Sequence, residues 1–410
     1  MQKIVIEKPY VFRAPHRGNW WPNFIQAFEL YWPYLRSTDG VETCEVRNAE
    51  RLVASLKAGY GIMLTPNHSR NSDPLILGPL AKKVKTHVFA MASWHLFNQN
   101  WFTSFALHKM GAFSVNREGV DRQSINTAVE ILTTGERPLV VFPEGAVSRT
   151  NDRLHAMLDG VSFIARNAAK RREKRLPEDD RRKVVIHPVA IKYLFQGDLN
   201  NAVDDVLSDI EQRLSWQPQK QLPLMDRITK VGRALLCLKE LEFFGREQEG
   251  RFEDRLKGLI NRLLGPLEEE WLGGQQNDAV VPRVKNLRMK ILPEMLHGRI
   301  GEPERKRRWE QLARVYLAQQ VSCYPPDYLS LPTVDRLLET IERFEEDLTD
   351  TARVHGAMHA IIQVGEAIEV SPKRDRTAKT DPLMARLDHD LQAMLDKLAL
   401  ESPVYQVEST

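Results

Sequence analysis

Three cysteines in 410 residues, Cys44, Cys237 and Cys323, are too few and too scattered for a disulfide framework or a metal-ligand cluster. They fit a reducing compartment. No stretch of about 18 uncharged apolar residues occurs, so no helix is expected to span a bilayer. The opening MQKIVIEKPYVF has no continuous apolar core of the kind a secretory signal needs. Net charge is nearly absent as well. Lys and Arg total 58 against 55 Asp and Glu, which leaves +3 and argues against a nucleic-acid partner. These absences predict a cytoplasmic protein, either soluble or resting on the cytoplasmic face of a membrane.

Several chemistries are missing too. There is no G-x-S-x-G elbow for a serine nucleophile and no G-x-x-x-x-G-K-[ST] phosphate loop. No G-x-G-x-x-G follows a strand, and no H-E-x-x-H or cysteine pair offers a metal site. No metal and no cofactor are expected.

What remains is ordinary globular material, 42% apolar and 28% charged, in a chain longer than one core usually serves. From about 50 to 200, short apolar runs alternate with helical patterns. GIMLT (61–65), HVFAMA (87–92), PLVVFP (138–143) and KVVIHPVAIKY (183–193) read as strands, with helical periodicity over 74–82 and 121–135. This predicts an α/β fold with a mostly parallel central sheet flanked by helices, its site at the carboxyl ends of the strands. From 201 to 350 the texture is helical, broken by Pro and Gly, without a fixed-period repeat. A β-like run at 364–370 and a helix at 383–398 follow. The expected division is a helical segment at 1–49, a catalytic unit at 50–200, a helical insertion at 201–350, a returning strand within 351–372, and a C-terminal helix and tail at 373–410.

Two stretches have competing uses. Residues 19–35, NWWPNFIQAFELYWPYL, place 21, 24, 28, 31, 32 and 35 on one helical stripe, and Pro22 and Pro33 are expected to confine the helix between them. Such a stripe usually packs on a core, although Trp and Tyr also favour membrane boundaries. The run KRREKRLPEDDRRK (170–183) reads as a solvated helix end, with anionic headgroups or an acidic carrier protein as the alternative.

Chemistry concentrates in NHSRNSDP (67–74). Asp73 before Pro74 suits a helix start, with the aspartate as N-cap. Across this turn the carboxylate can also reach one ring nitrogen of His68, leaving the other free to take a proton. Three further blocks follow in order: KMGAFSVNRE (109–118), VVFPEGAVSR (140–149) and IHPVAIKY (186–193). Together with NHSRNSDP they resemble the four blocks of the glycerolipid acyltransferases, which include the glycerol-3-phosphate and 1-acylglycerol-3-phosphate acyltransferases. The resemblance covers about 50–195 and extends to 357–370, where VGEAIEV (364–370) is similar to a GEPI-like piece.

The resemblance implies an O-acyltransferase that takes a fatty acyl group from acyl-CoA or an acyl carrier protein. The acceptor it implies is a glycerol phosphate or lysophospholipid, met at a phospholipid membrane surface. His68 is then the general base and Asp73 its partner. Arg117 grips phosphate, Glu144 and Gly145 line the acceptor site with Ser148 nearby, Arg149 adds a second positive contact, and Pro188 shapes the acyl side of the cleft. Three positions depart from the pattern: Arg70 stands where serine is usual, Ala146 where Ser or Thr follows FPEG, and Ala367 where a GEPI-like piece carries proline. Arg70 brings a further charge to a phosphate or carboxylate, or else points into solvent. Acyl transfer to a phosphate-free acceptor, and a non-catalytic lipid-binding module of the same fold, remain the alternatives.

Overall fold

The structure is a computed structural model that describes residues 8–406, except 120, 177, 178, 297, 299, 352, 376 and 379. The N-terminal MQKIVIE and part of the 170–183 run therefore lie outside the described residues. The chain divides into two compact units. One holds Tyr10–Phe195 with Ala357–Glu401. The other holds Gln196–Gly356 and the described ends of the chain.

The first unit opens with α1 (Trp20–Ala27) and α2 (Tyr31–Asp39). Pro22 and Pro33 fall at the third position of each helix, in the first turn, where the missing N–H costs nothing. Each proline therefore starts a helix rather than bounding one. The expected core stripe is divided as well: Tyr31 and Leu35 are buried, but Phe24 and Phe28 are exposed. Next come β1 (Val41–Arg47), α3 (Ala49–Lys57), β2 (Gly61–Pro66), α4 (Asp73–Lys83) and β3 (Phe89–Ser93). After these follow α5 (Trp101–Lys109), β4 (Ala112–Val115), α6 (Arg122–Thr134), β5 (Leu139–Val140), α7 (Gly160–Arg175) and β6 (Val184–Phe195).

Among the described residues the sheet has eight strands. It is completed by β7 (Met358–Val364), β8 (Ile368–Glu369) and α14 (Pro382–Ala399), which return after the helical unit's α8 to α13. The order is β1-β7-β6-β2-β5-β3-β4, with β8 also on β6. Pairing is parallel except where β6 meets β7 and β8. Every residue of β2 and β6 is buried, as expected of central strands covered on both faces. On one face Val184, Ile186 and Ala190 join cores with α6, α7 and α14. On the other, the β6 residue His187 meets Ser55 of α3 at 2.9 Å through Nε2, and its Nδ1 meets the Gly365 carbonyl at 3.0 Å. Burial lowers the pKa of this structural histidine.

β1 was not legible as a strand, since its exposed and buried positions alternate imperfectly. From Tyr10 onward the N-terminal segment belongs to the sheet unit. The basic run at 170–183 is not wholly solvated. Arg172 is buried and donates to the carbonyls of Thr133 at 3.0 Å, Gly59 at 2.6 Å and Arg181 at 3.0 Å.

The second unit is built from α8 (Leu199–Arg213), α9 (Leu224–Phe244), α10 (Phe252–Leu272), α11 (Val280–Leu296), α12 (Glu302–Val321) and α13 (Val334–Thr349). It does contain a repeat, contrary to the sequence reading. Near the end of one helix a buried glutamate grips an arginine near the start of the next. The pairs are Glu211–Arg227, Glu240–Arg255 and Glu268–Arg283, each bidentate at 2.6–3.0 Å. Arg227, Arg255 and Arg283 are the fourth residues of α9, α10 and α11, 28 positions apart. Between α11 and α12 an exposed Glu294 contacts Arg308, outside the 28-residue spacing. Between the clasps, Leu259, Leu263, Leu287, Ile291 and Val315 fill the core.

Candidate active site

The turn after β2 is fastened before it reaches His68. Asn67 takes the place of a strand residue: its amide donates to the Ile191 carbonyl at 2.9 Å and its carbonyl oxygen accepts from Ile191 N–H at 2.7 Å. The side chain thus extends the β2–β6 ladder by one step. His68 follows at the carboxyl end of the strand. Its N–H donates to Glu144 Oε1 at 2.8 Å, and its carbonyl accepts from Ser148 N–H at 2.6 Å and Ser148 Oγ at 3.0 Å. The imidazole packs on the Phe142 ring, centroids 4.2 Å apart.

His68 Nδ1 lies 2.9 Å from Asp73 Oδ2. A carboxylate accepts, so Nδ1 carries the proton and Nε2 keeps its lone pair. Asp73 is fully buried, whereas the His68 side chain is 16% exposed, and Nε2 has no hydrogen-bond partner among the described residues. Asp73 does not act as the expected N-cap. It is the first residue of α4, and Oδ2 reaches back to Arg70 N–H at 2.9 Å. The carboxylate is committed to the turn and the imidazole.

The FPEG turn braces this geometry. Glu144 is fully buried; Oε1 accepts from His68 N–H, and Oε2 accepts from His155 N–H at 2.9 Å. Burial pushes its pKa up to about 8, against the pull of those two N–H groups; Asp73 and Asp388 raise it further. The carboxyl group expected to line the acceptor site is a tie between two loops. Gly145 turns at φ +68°, and a Cβ there would lie 2.4 Å from Leu158 Cδ1. Ser148 is buried beneath His68, fixing its backbone rather than facing an acceptor. Arg149 sits half-buried in the left-handed region at φ +59°, a conformation that costs a non-glycine residue energy.

Arg70 neither reaches into solvent nor stays available to a phosphate. It is buried, 3.5 Å from Asp39 Oδ1, with its guanidinium 5.3 Å from the Tyr193 ring centroid. Asp39 also accepts from Ser72 Oγ. Pro188 lies inside β6 where its antiparallel partner changes from β7 to β8, a point at which no ladder donor is needed. Its carbonyl accepts from Gly365 N–H at 2.7 Å, and a Cβ on Gly365 would lie 2.8 Å from Pro188 Cγ. The glycine of VGEAIEV is therefore required for close passage of the chain.

Arg117 follows β4, at the same carboxyl edge as His68 but three strands away, about 14 Å across the sheet. It is partly buried, and its guanidinium has no hydrogen-bond acceptor among the described residues. Desolvation lowers its pKa, with Glu118 opposing. The loop carrying it is anchored by Asp121, which accepts from Asn116 N–H at 3.0 Å, Ser124 N–H at 2.9 Å and Tyr10 O–H. Asp39 and Asp121 carry no motif signal, and Tyr193, which closes the IHPVAIKY block, carries no expected role there. Only the fold brings Asp39 and Tyr193 behind the dyad.

Residues 43–192 match the family described as Acyltransferase. Over 98 residues the chain is 35% identical to the 1-acyl-sn-glycerol-3-phosphate acyltransferase of Bacillus subtilis (strain 168), an alignment covering 24% of this chain and 46% of that protein. The chain thus spans about half the length of that curated relative. The ordered blocks, the parallel sheet and the match agree in likening residues 43–192 to the Acyltransferase family.

Proposed function

We propose that the protein is an O-acyltransferase that moves a fatty acyl group from acyl-CoA or an acyl carrier protein to the hydroxyl of a glycerol phosphate or lysophospholipid. One observation carries this reading. His68 has Nδ1 held by a buried carboxylate, and Nε2, at the carboxyl edge of the sheet, has no hydrogen-bond partner among the described residues. Nε2 takes the hydroxyl proton as the acceptor oxygen attacks the thioester carbonyl. The C–S bond then breaks, and the imidazolium returns the proton to the leaving thiolate. Arg117 supports a phosphate-bearing acceptor, because a partly buried guanidinium with no acceptor among the described residues gains from an anion that matches its fork.

The membrane reading rests on a surface that the sequence showed only in half. Trp21 of α1 meets Phe105 of α5 edge-on at 5.2 Å. That contact joins Trp20, Phe24 and Phe28 to Trp101 and Phe102, and Trp101 is 77% exposed. Residues 10–28 and 74–117 contain no Asp or Glu but carry Arg13, Arg17, Lys82, Lys83, Lys85, Lys109 and Arg117. Exposed aromatics in acid-free basic segments suit an anionic bilayer surface on the cytoplasmic side. No helix among the described residues is long and apolar enough to cross a membrane.

The test is to incubate the purified full chain with labelled acyl-CoA or acyl carrier thioester and a panel of acceptors, then identify the product. His68→Ala is expected to abolish transfer, a loss of at least about a thousandfold, with unchanged circular dichroism. Absence of transfer by the unmutated chain would favour a lipid-binding module. Arg117→Ala is expected to depress turnover of phosphate acceptors selectively; equal turnover with phosphate-free acceptors would remove its clamp role. Trp101→Ser with Phe102→Ser is expected to reduce sedimentation with phosphatidylglycerol-containing vesicles and leave phosphatidylcholine vesicles unaffected.

A further inference from the structure

The Asp73 carboxylate has one more partner than a simple dyad requires. Oδ2 accepts from His68 Nδ1–H and Arg70 N–H, and Oδ1 accepts from the Tyr193 hydroxyl at 2.5 Å. Tyr193 is 1% exposed, on the face of β6 toward α4. Its main chain is clamped by Asn151, whose Oδ1 accepts from Tyr193 N–H at 2.8 Å while its amide donates to the Tyr193 carbonyl at 2.5 Å. Arg70 lies over the ring, and Asp39 holds Arg70. The hydroxyl is thus fixed from the main chain, from the ring face and from the carboxylate it serves. Phenylalanine would fill the same volume, so packing alone gives no reason for an oxygen here.

We propose that Tyr193 is a positioning residue of the His68–Asp73 pair: its hydroxyl fixes the Asp73 carboxylate so that Oδ2 stays aimed at Nδ1 of His68. The departure from the family pattern at Arg70 belongs to the same device, since Arg70 steadies the tyrosine that steadies the aspartate. A buried carboxylate has no water to support its charge, and a short O–H donor does that work. The bond also draws electron density from Asp73, which moderates its hold on the Nδ1 proton. The kinetic part of this inference rests on the acyl-transfer reading; the structural part does not.

Tyr193→Phe in the full chain separates the two. Without the hydroxyl, Asp73 becomes a stronger acceptor, and the Nδ1–H proton resonance of His68 is expected to move downfield. Acyl transfer is expected to show a kcat about tenfold lower, with KM for both substrates within about twofold, because a loosened carboxylate misdirects the base rather than the substrates. A resonance that stays in place overturns the proposal. So does a lower melting temperature with kcat intact, the mark of a structural role only. If the unmutated chain transfers no acyl group, the function proposal fails and the resonance alone decides. Should Tyr193→Phe fail to fold, 3-fluorotyrosine at 193 keeps the shape and strengthens the donor. The same resonance is then expected to move upfield, and no movement overturns the proposal.

Discussion

Glu144 acts through burial and through two main-chain contacts. Its position after a strand and before a glycine drew attention from sequence, but both oxygens bind main-chain N–H groups. Its folded pKa, about 8, lies above its ordinary 4.5 because burial penalises the charge. The folded chain therefore holds a proton that the unfolded chain releases at lower pH. The stabilisation is complete below the unfolded value and is lost as pH rises through about 8. Melting temperature is accordingly expected to fall from about pH 5 to about pH 9 more steeply in the unmutated chain than in Glu144→Gln, which has no proton to lose there. Equal slopes would show that Glu144 does not titrate in this range. His68 and Asp73 were legible because their spacing is short, so local chain geometry nearly forces them together. Tyr193 lies 120 positions from Asp73, and no local rule connects them.

At the scale of elements, the strands β2, β3, β5 and β6 announced themselves by apolar runs, and α14 by leucines at 383, 387, 391, 395 and 398. The repeat in the helical unit did not, because its mark is a pair of charged residues 15–16 apart in a background of many charges. Burial gives those pairs their meaning. A buried arginine stripped of its carboxylate is an uncompensated charge, so Glu268→Ala is expected to destabilise the helical unit by about 3–5 kcal/mol. Replacing Glu268 and Arg283 together by leucine and methionine is expected to cost far less, since both desolvation penalties disappear with the pair. Chemical denaturation of the three chains measures this; equal losses in the single and double variants would deny the clasp its role. The aromatic stripe at 19–35 shows the same limit from the other side. Periodicity gave its face, but only α5 showed that the face is shared with another exposed aromatic helix.

For the whole molecule, the insertion is placed by one pairing. Phe195, at the end of β6, stands directly opposite Met358, at the start of antiparallel β7. The chain leaves the sheet and comes back one strand-width away, about 5 Å. Truncation after 200 would remove β7 from between β1 and β6, and it is expected to give insoluble protein. Joining Phe195 to Met358 through a two-residue Asn-Gly turn is expected instead to yield a soluble unit with a cooperative thermal transition and retained acyl transfer. Aggregation of that shortened chain would show that the sheet unit does not fold without the insertion.

By itself the sequence determined the alternation of strand and helix, the His68–Asp73 turn, the FPEG turn and the likeness to a family. All of these are written in residues a few positions apart, where stereochemistry and periodicity act directly. The tertiary structure alone decided that Glu144 and Ser148 brace rather than bind, that Arg70 is spent on Asp39 and Tyr193, and that α5 completes the aromatic surface. Those outcomes turn on burial and on partners distant in sequence. Whether a charge is desolvated, and by what it is answered, is a property of the packed chain.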